Sequence, residues 1–186
     1  MFDFVPTSMP GCFQISIEKR HDNRGYFAKT FHRAVFERRE LNIDFKEHYH
    51  TSSNEGCLRG MHFQMPPHDH GKLVYCISGA VLDVVVDLRR GSPTYGQTES
   101  MILSGDNGSM LYIPQGLAHG FYVLSGPSIM VYSVTTEYAP SHDSGILWSS
   151  IPVQWPNPAP VISARDSSFP ALGDFESPFS FTQLYQ

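Results

Sequence analysis

A chain of 186 residues that is 41% hydrophobic and 17% charged can bury a core within one domain and is too apolar to be disordered. A net charge of −5 and a pI near 5.9 exclude a broad basic face for nucleic acid or an anionic membrane. No run approaches the roughly 20 apolar residues of a membrane span, and MFDFVPTSMPG lacks the regions of a signal peptide. Cys12, Cys57 and Cys76 are odd in number and lack C-x-x-C spacing, so the expectation is reduced, buried thiols and a cytoplasmic setting.

In chain order, 14 prolines and 15 glycines punctuate short β-rich runs, the pattern of a β-sandwich or barrel. Residues 11–18 (GCFQISIE) predict a first strand, 21–25 (HDNRG) a turn, and 26–31 a second strand. FHRAVFERREL at 31–41 is the best helix candidate, with Phe31, Val35 and Phe36 on one side and charges opposite. Residues 45–52 alternate as a strand does. The chain is organised around 58–88, where a strand carrying Arg59 and His62 leads through a Pro-Pro turn to Lys72 and then to the buried-strand run GAVLDVVVDL. After a turn at 91–94, strands are expected near 97–103, 108–113, 120–124 and 128–135. From Pro152 the chain is Pro-rich and is expected to wrap the surface, returning a few side chains to a pocket.

Polar groups able to move protons thus fall at the edges of apolar strands, as in a barrel-lined pocket. Gly108-x5-Pro114-x-Gly116-x2-His119 fits a cupin turn that presents a histidine at the barrel mouth. His68 and His70 offer an H-x-H pair, but no Glu follows at 72–75, so a metal site would need an improvised ligand set. A solvated loop is the preferred reading of those histidines, and no metal is assigned.

The blocks DNRGYF (22–27), LRGMHFQ (58–64), GKLV (71–74), VLDVVVDLR (81–89), SPTYGQ (92–97) and IPQGLAHGF (113–121), extended by 132–140 and 163–170, carry a resemblance. In order and spacing the chain resembles the dTDP-4-dehydrorhamnose 3,5-epimerases and related nucleotide-4-keto-sugar epimerases. The resemblance implies an all-β cupin-type jelly-roll barrel with short peripheral helices. It also implies a chemistry in which a C–H beside a C4 ketone is removed on one face and restored on the other, with a cation at the enolate oxygen and no redox cofactor.

Carried over from that family, His62 matches the base, Asp166 its orienting carboxylate, Tyr132 the opposite-face acid and Lys72 the cation near the C4 oxygen. His119, Arg59 and Arg24 match substrate-holding positions, and Phe27 and Tyr138 lie in matching blocks. Three departures stand out: Glu47 and Tyr49 replace a usual Gln and Asn, Ser133 replaces a usual Lys, and Glu137 replaces a usual aromatic. The implied substrate is a nucleoside-diphosphate 4-keto sugar, dTDP-linked by resemblance, with GDP and CDP as alternatives, inverted at C3, C5 or both. One domain, 1–186, is expected: an arm over about 1–30 exchanged within a homodimer, a barrel over about 45–150, and a C-terminal segment over 151–186. Rival readings are a ketoisomerase, a metal-dependent cupin oxygenase and a non-catalytic sugar-binding cupin.

Overall fold

The chain is described over residues 2–181 by a computed structural model. Two long strands, β7 (Lys72–Asp87) and β10 (Leu117–Val134), pair antiparallel along nearly their whole lengths and hold the architecture together. On β7 the early residues Lys72, Val74 and Cys76 face the barrel interior. After a register shift near Ser78 and Ala80, the interior residues become Val81, Asp83 and Val85. A bulge inserts one residue and so flips the face that each side chain presents. Gly79 sits at that corner with φ 74°, where an added Cβ would lie 2.5 Å from the Ser125 carbonyl oxygen.

The other strands add to this pair. On the outer edge of β7 lie β8 (Thr98–Ser104) and β9 (Ser109–Ile113). Beyond β9 come β2 (Phe13–Ile17) and β1 (Phe2–Pro6). On the far side of β10, its first half pairs with β6 (Leu58–Gln64) and its second half with β5 (Glu47–Ser53). Strand β11 (Asp143–Gly145) closes onto β6. The nine strands form one folded sheet, an all-β jelly roll of the expected class. A separate hairpin, β3 (Lys19–Asp22) with β4 (Gly25–Ala28), pairs only with itself.

The continuous apolar run in β7 is explained by burial on both faces. Val81, Val85, Phe121 and Met130 fill the barrel, whereas Val84, Val86 and Leu88 point outward and pack with Phe63, Ile146, Ile151 and Phe179. The Pro-rich C-terminal segment adds Phe179 and the half-buried Val153, Trp155, Leu172 and Phe175 to that outer layer, and it is pinned by bridges from Val161 to Cys57 and from Ser180 to Arg90. Of the expected segment 151–186, residues 182–186 lie outside the described residues. A third cluster joins Phe4, Ile15, Phe36 and Tyr112. Among the described residues no helix is long and apolar enough to cross a membrane.

Several element boundaries differ from expectation. Strand β1 was not anticipated, because FDFVP is short and ends in proline. The strand expected over 26–31 stops at Ala28. Only Arg33–Glu37 of the candidate helix is helical (α1), since so short a helix is held by packing rather than propensity, and Phe36 is its one buried anchor. The two strands expected at 120–124 and 128–135 are one, because Ser125, Gly126 and Pro127 make the bulge at the barrel corner instead of a chain break.

Candidate active site

Strand β6 presents His62 and Gln64 to a cavity of about 400 Å³, and β7 presents Lys72 to the same space. His62 Nε2 lies 2.9 Å from Asp166 Oδ1. A proton on Nε2 satisfies that carboxylate and leaves Nδ1 as the unprotonated nitrogen. Asp166 comes from α2 (Ala164–Ser167), whose N-cap Ser163 accepts a hydrogen bond from the Asp166 N–H. The other Asp166 oxygen accepts from the Gly60 N–H at 3.1 Å.

That last contact depends on a bare backbone. Gly60 has φ 137°, and a Cβ there would lie 2.6 Å from the Gly120 Cα on β10. The carboxylate is therefore held from two sides. Burial raises the Asp166 pKa, but the bonds from His62, Gly60 and Ser163 outweigh it, and the net direction is down. Asp166 is thus an anion at neutral pH, able to stabilise a protonated His62.

Lys72 is only 5% exposed, and its ammonium donates to the His62 carbonyl oxygen at 3.1 Å. Burial brings its pKa down to about 8, against the pull of the Asp143 and Asp83 carboxylates. His70 also lines the cavity and is pushed down to about 3, by burial first and the Lys72 charge second, so it is neutral. Its Nδ1 meets the Gln64 side-chain amide at 3.1 Å. This corrects the expectation of a solvated histidine loop: His70 turns inward, while the His68 ring packs on His142 at 4.4 Å.

Tyr132 and His119 sit deeper. Tyr132 is 6% exposed and His119 3%, their rings are 6.1 Å apart, and His119 Nε2 is 2.8 Å from Asp83 Oδ2. Burial first, then the Asp83 carboxylate and Tyr49, raise the Tyr132 phenol well above its ordinary value, so it keeps its proton. Glu47, Tyr49 and Tyr138 line the cavity, and Glu47 Oε1 accepts from the Tyr138 N–H at 2.9 Å. Arg59 lies exposed, with Nε donating to Ser53 at 2.8 Å.

Six expected site residues do not line this cavity: Asp166 reaches it through His62, Tyr132 and His119 are buried off its lining, Arg59 lies exposed outside it, and Arg24 and Phe27 stand apart. Arg24 and Phe27 ride on the β3–β4 hairpin, where Arg24 pairs with Asp22 at 2.6 Å and Phe27 is exposed. The hairpin makes no ladder with the barrel sheet, so nothing carries these side chains inward. Conversely, Asp143 and Arg165 were not singled out and do line the cavity. They form an ion pair at 2.7 Å, and Tyr138 donates to the same Asp143 oxygen at 3.2 Å. A cation directly before Asp166 in an otherwise weakly charged, Pro-rich tail was the available signal.

The chain is similar to known proteins over most of its length. The family model described as dTDP-4-dehydrorhamnose 3,5-epimerase matches residues 6–174. The dTDP-4-dehydrorhamnose 3,5-epimerase of Shigella flexneri is 39% identical over 165 residues, 87% of this chain and 91% of that protein. The crystal structure of the Legionella pneumophila 3,5-epimerase in complex with dTDP-4-keto-L-rhamnose superposes with a TM-score of 0.93 at 31% identity, covering 98% of this chain and 100% of that one. The Bacillus anthracis 3,5-epimerase with TDP and PPi bound gives a TM-score of 0.88 at 34% identity, over 92% and 99% of the two chains. The chain therefore belongs to the dTDP-4-dehydrorhamnose 3,5-epimerase family of isomerases.

Proposed function

We propose that this chain epimerises a dTDP-linked 4-keto-6-deoxy sugar at the carbons flanking its ketone, at C3, C5 or both, with His62 as the base. The observation that carries the reading is the His62–Asp166 pair set beside the buried Lys72 ammonium at one cavity wall. A ketone acidifies its neighbouring C–H bonds because the carbanion delocalises onto the carbonyl oxygen. His62 Nδ1 takes the proton, the Asp166 anion steadies the imidazolium that forms, and Lys72 meets the negative charge growing on the C4 oxygen. Tyr132, which keeps its proton, returns one from the opposite face. Support for dTDP comes from relatives crystallised with TDP or a dTDP-sugar.

The remaining assignments concern binding. Glu47, Tyr49 and Tyr138 hold sugar hydroxyls at the cavity wall, His119 supports the reacting ring, and Arg59 offers a guanidinium to phosphate oxygens. Arg24 and Phe27 serve the cavity of a second subunit in a homodimer. An exposed hairpin bearing Tyr26 and Phe27 outside the main sheet supports that exchange.

The test is proton exchange in D₂O with dTDP-4-keto-6-deoxyglucose, and in parallel with GDP- and CDP-linked 4-keto sugars, followed at C3 and C5 by NMR. Deuterium enters one or both carbons of the dTDP substrate. Binding without any exchange sinks the catalytic reading.

Lys72 sets the alkaline limit. Its pKa falls from 10.5 to about 8 on folding, so the ammonium is present below about pH 8 and is lost above it. Accordingly kcat/KM is expected to decline along an alkaline limb with its midpoint near 8. Stability moves the other way: the buried charge costs stability below that pH, and the cost is relieved as pH rises towards 10.5. Lys72→Arg, whose guanidinium stays charged, shifts the activity limb upward. An unmoved limb in that variant removes Lys72 from the role.

A further inference from the structure

Tyr49 and Tyr132 are directly opposed in the β5–β10 ladder. Their rings stack with centroids 4.8 Å apart and planes 12° from parallel. Tyr49 lines the cavity and is 42% exposed, whereas Tyr132 is 6% exposed and does not line it. On its inner side Tyr132 meets the His119 ring edge-on. The buried phenol therefore lies between His119 and Tyr49, with Tyr49 on the side of the substrate.

What holds Tyr49 in place is the stack. Among the described residues its hydroxyl has no hydrogen-bond partner, whereas Glu47, two positions earlier on the same face of β5, is tethered to the Tyr138 N–H. The strand is fixed, so turning the ring about its side-chain torsions costs the stack and no hydrogen bond among the described residues. We propose that Tyr49 is a swinging cover over Tyr132 and thereby the specificity-determining residue that sets how the enolate is reprotonated. This rests on the epimerase reading above.

Two fates await an enolate made by His62. In the first, His62 exchanges its new proton with solvent and returns a deuteron to the same face, which labels the carbon and retains its configuration. In the second, the C–H bond re-forms from the Tyr132 O–H on the opposite face, which inverts the carbon, and water reprotonates the phenolate. A closed cover slows only the second fate. Wild-type protein in D₂O is therefore expected to label its substrate by washout faster than it inverts it.

Substitutions at Tyr49 separate the cover from other roles, with NMR reading the ratio of inversion to washout. Tyr49→Ala removes the ring and raises that ratio by about 2- to 12-fold, the rate equivalent of one aromatic stack. Tyr49→Leu, which keeps bulk without stacking, raises it in the same direction should the alanine variant fold poorly. Tyr49→Phe raises KM through the lost hydroxyl contact to the sugar but keeps the ring, and so leaves the ratio of inversion to washout as in wild type. An unchanged ratio in both Tyr49→Ala and Tyr49→Leu overturns the proposal. So does lost inversion with washout intact, which would make Tyr49 the acid itself, or a Tyr49→Phe ratio that matches Tyr49→Ala. Inversion that outpaces washout in the wild type overturns the cover alone, whereas binding with neither washout nor inversion overturns the epimerase reading, and the cover with it.

Discussion

Replacing His62 with alanine is expected to lower kcat by about 10²- to 10⁴-fold, the usual contribution of a positioned base, and to abolish deuterium entry into the substrate. The reason is basicity. Among the described residues the cavity's other nitrogen bases are Lys72 and His70, and neither can take over. Lys72 is protonated below about pH 8, and His70, pushed to about 3, is too weak a base at neutral pH. Asp166→Asn tests the second half of the pair. An amide can meet the ring with either its donor or its acceptor end, so the Nε2–H tautomer loses its enforcement, and the imidazolium loses its counter-charge. A loss of kcat by a similar factor with little change in KM is expected, because the carboxylate acts on the histidine and not on the sugar. A kcat within threefold of wild type for Asp166→Asn would break the assignment.

The largest expected effect on stability lies elsewhere, at the end of β7. Asp87 is fully buried and accepts five hydrogen bonds: from Arg89 Nε at 2.9 Å, Arg89 Nη2 at 2.8 Å, the Arg89 N–H at 2.9 Å, Ser92 Oγ at 2.6 Å and Thr94 Oγ1 at 2.7 Å. Arg89 is itself only 3% exposed. Asp87→Ala therefore strands a guanidinium in the interior, a loss of about 3–5 kcal/mol for a broken buried pair. Urea unfolding at neutral pH should show the midpoint falling with the slope retained. Burial alone would raise the Asp87 pKa, but the Arg89, Ser92 and Thr94 donors more than reverse it, and the net direction is down. The stability it supplies is present above its ordinary value of 3.8 and disappears as the pH falls through the lower folded value. The alanine variant should lack that acid-sensitive component, and a midpoint equal to wild type would refute the network's importance.

Much of this was legible in the residues themselves. β-Branched runs cut by glycine and proline mark out strands, and GAVLDVVVDL announces a strand buried on both sides. His62, Lys72 and Asp166 stand out through a family pattern, and the fold brings them to one wall. What the pattern hides is parity and partnership. The face that each residue of β7 presents depends on a bulge at Ser78 to Ala80 that no local propensity specifies. Arg24 and Phe27 lie in a matching block, yet their hairpin pairs with nothing else in the chain. Asp143 joins the cavity from the three-residue strand β11 and Arg165 from the four-residue helix α2, and elements so short have no period to read. The inward turn of His70 is hidden because neighbouring prolines signal a turn but not the direction in which its side chains point.

The two halves of the His62–Asp166 pair are separated by 104 residues, and this bears on the order in which the protein is made. A chain emerging from the ribosome completes all eleven strands before Asp166 is polymerised. The cavity wall, with Lys72 and His62 in it, belongs to that earlier material. Orientation of the base comes only when the tail lies down along the finished barrel and Ser163 turns α2 towards Gly60. In the order of synthesis the strands thus precede the carboxylate that orients the base. A single protease cut in the Pro-rich stretch between 152 and 160, followed by loss of the tail, would take Asp166 from His62 and uncover Val84, Val86 and Leu88.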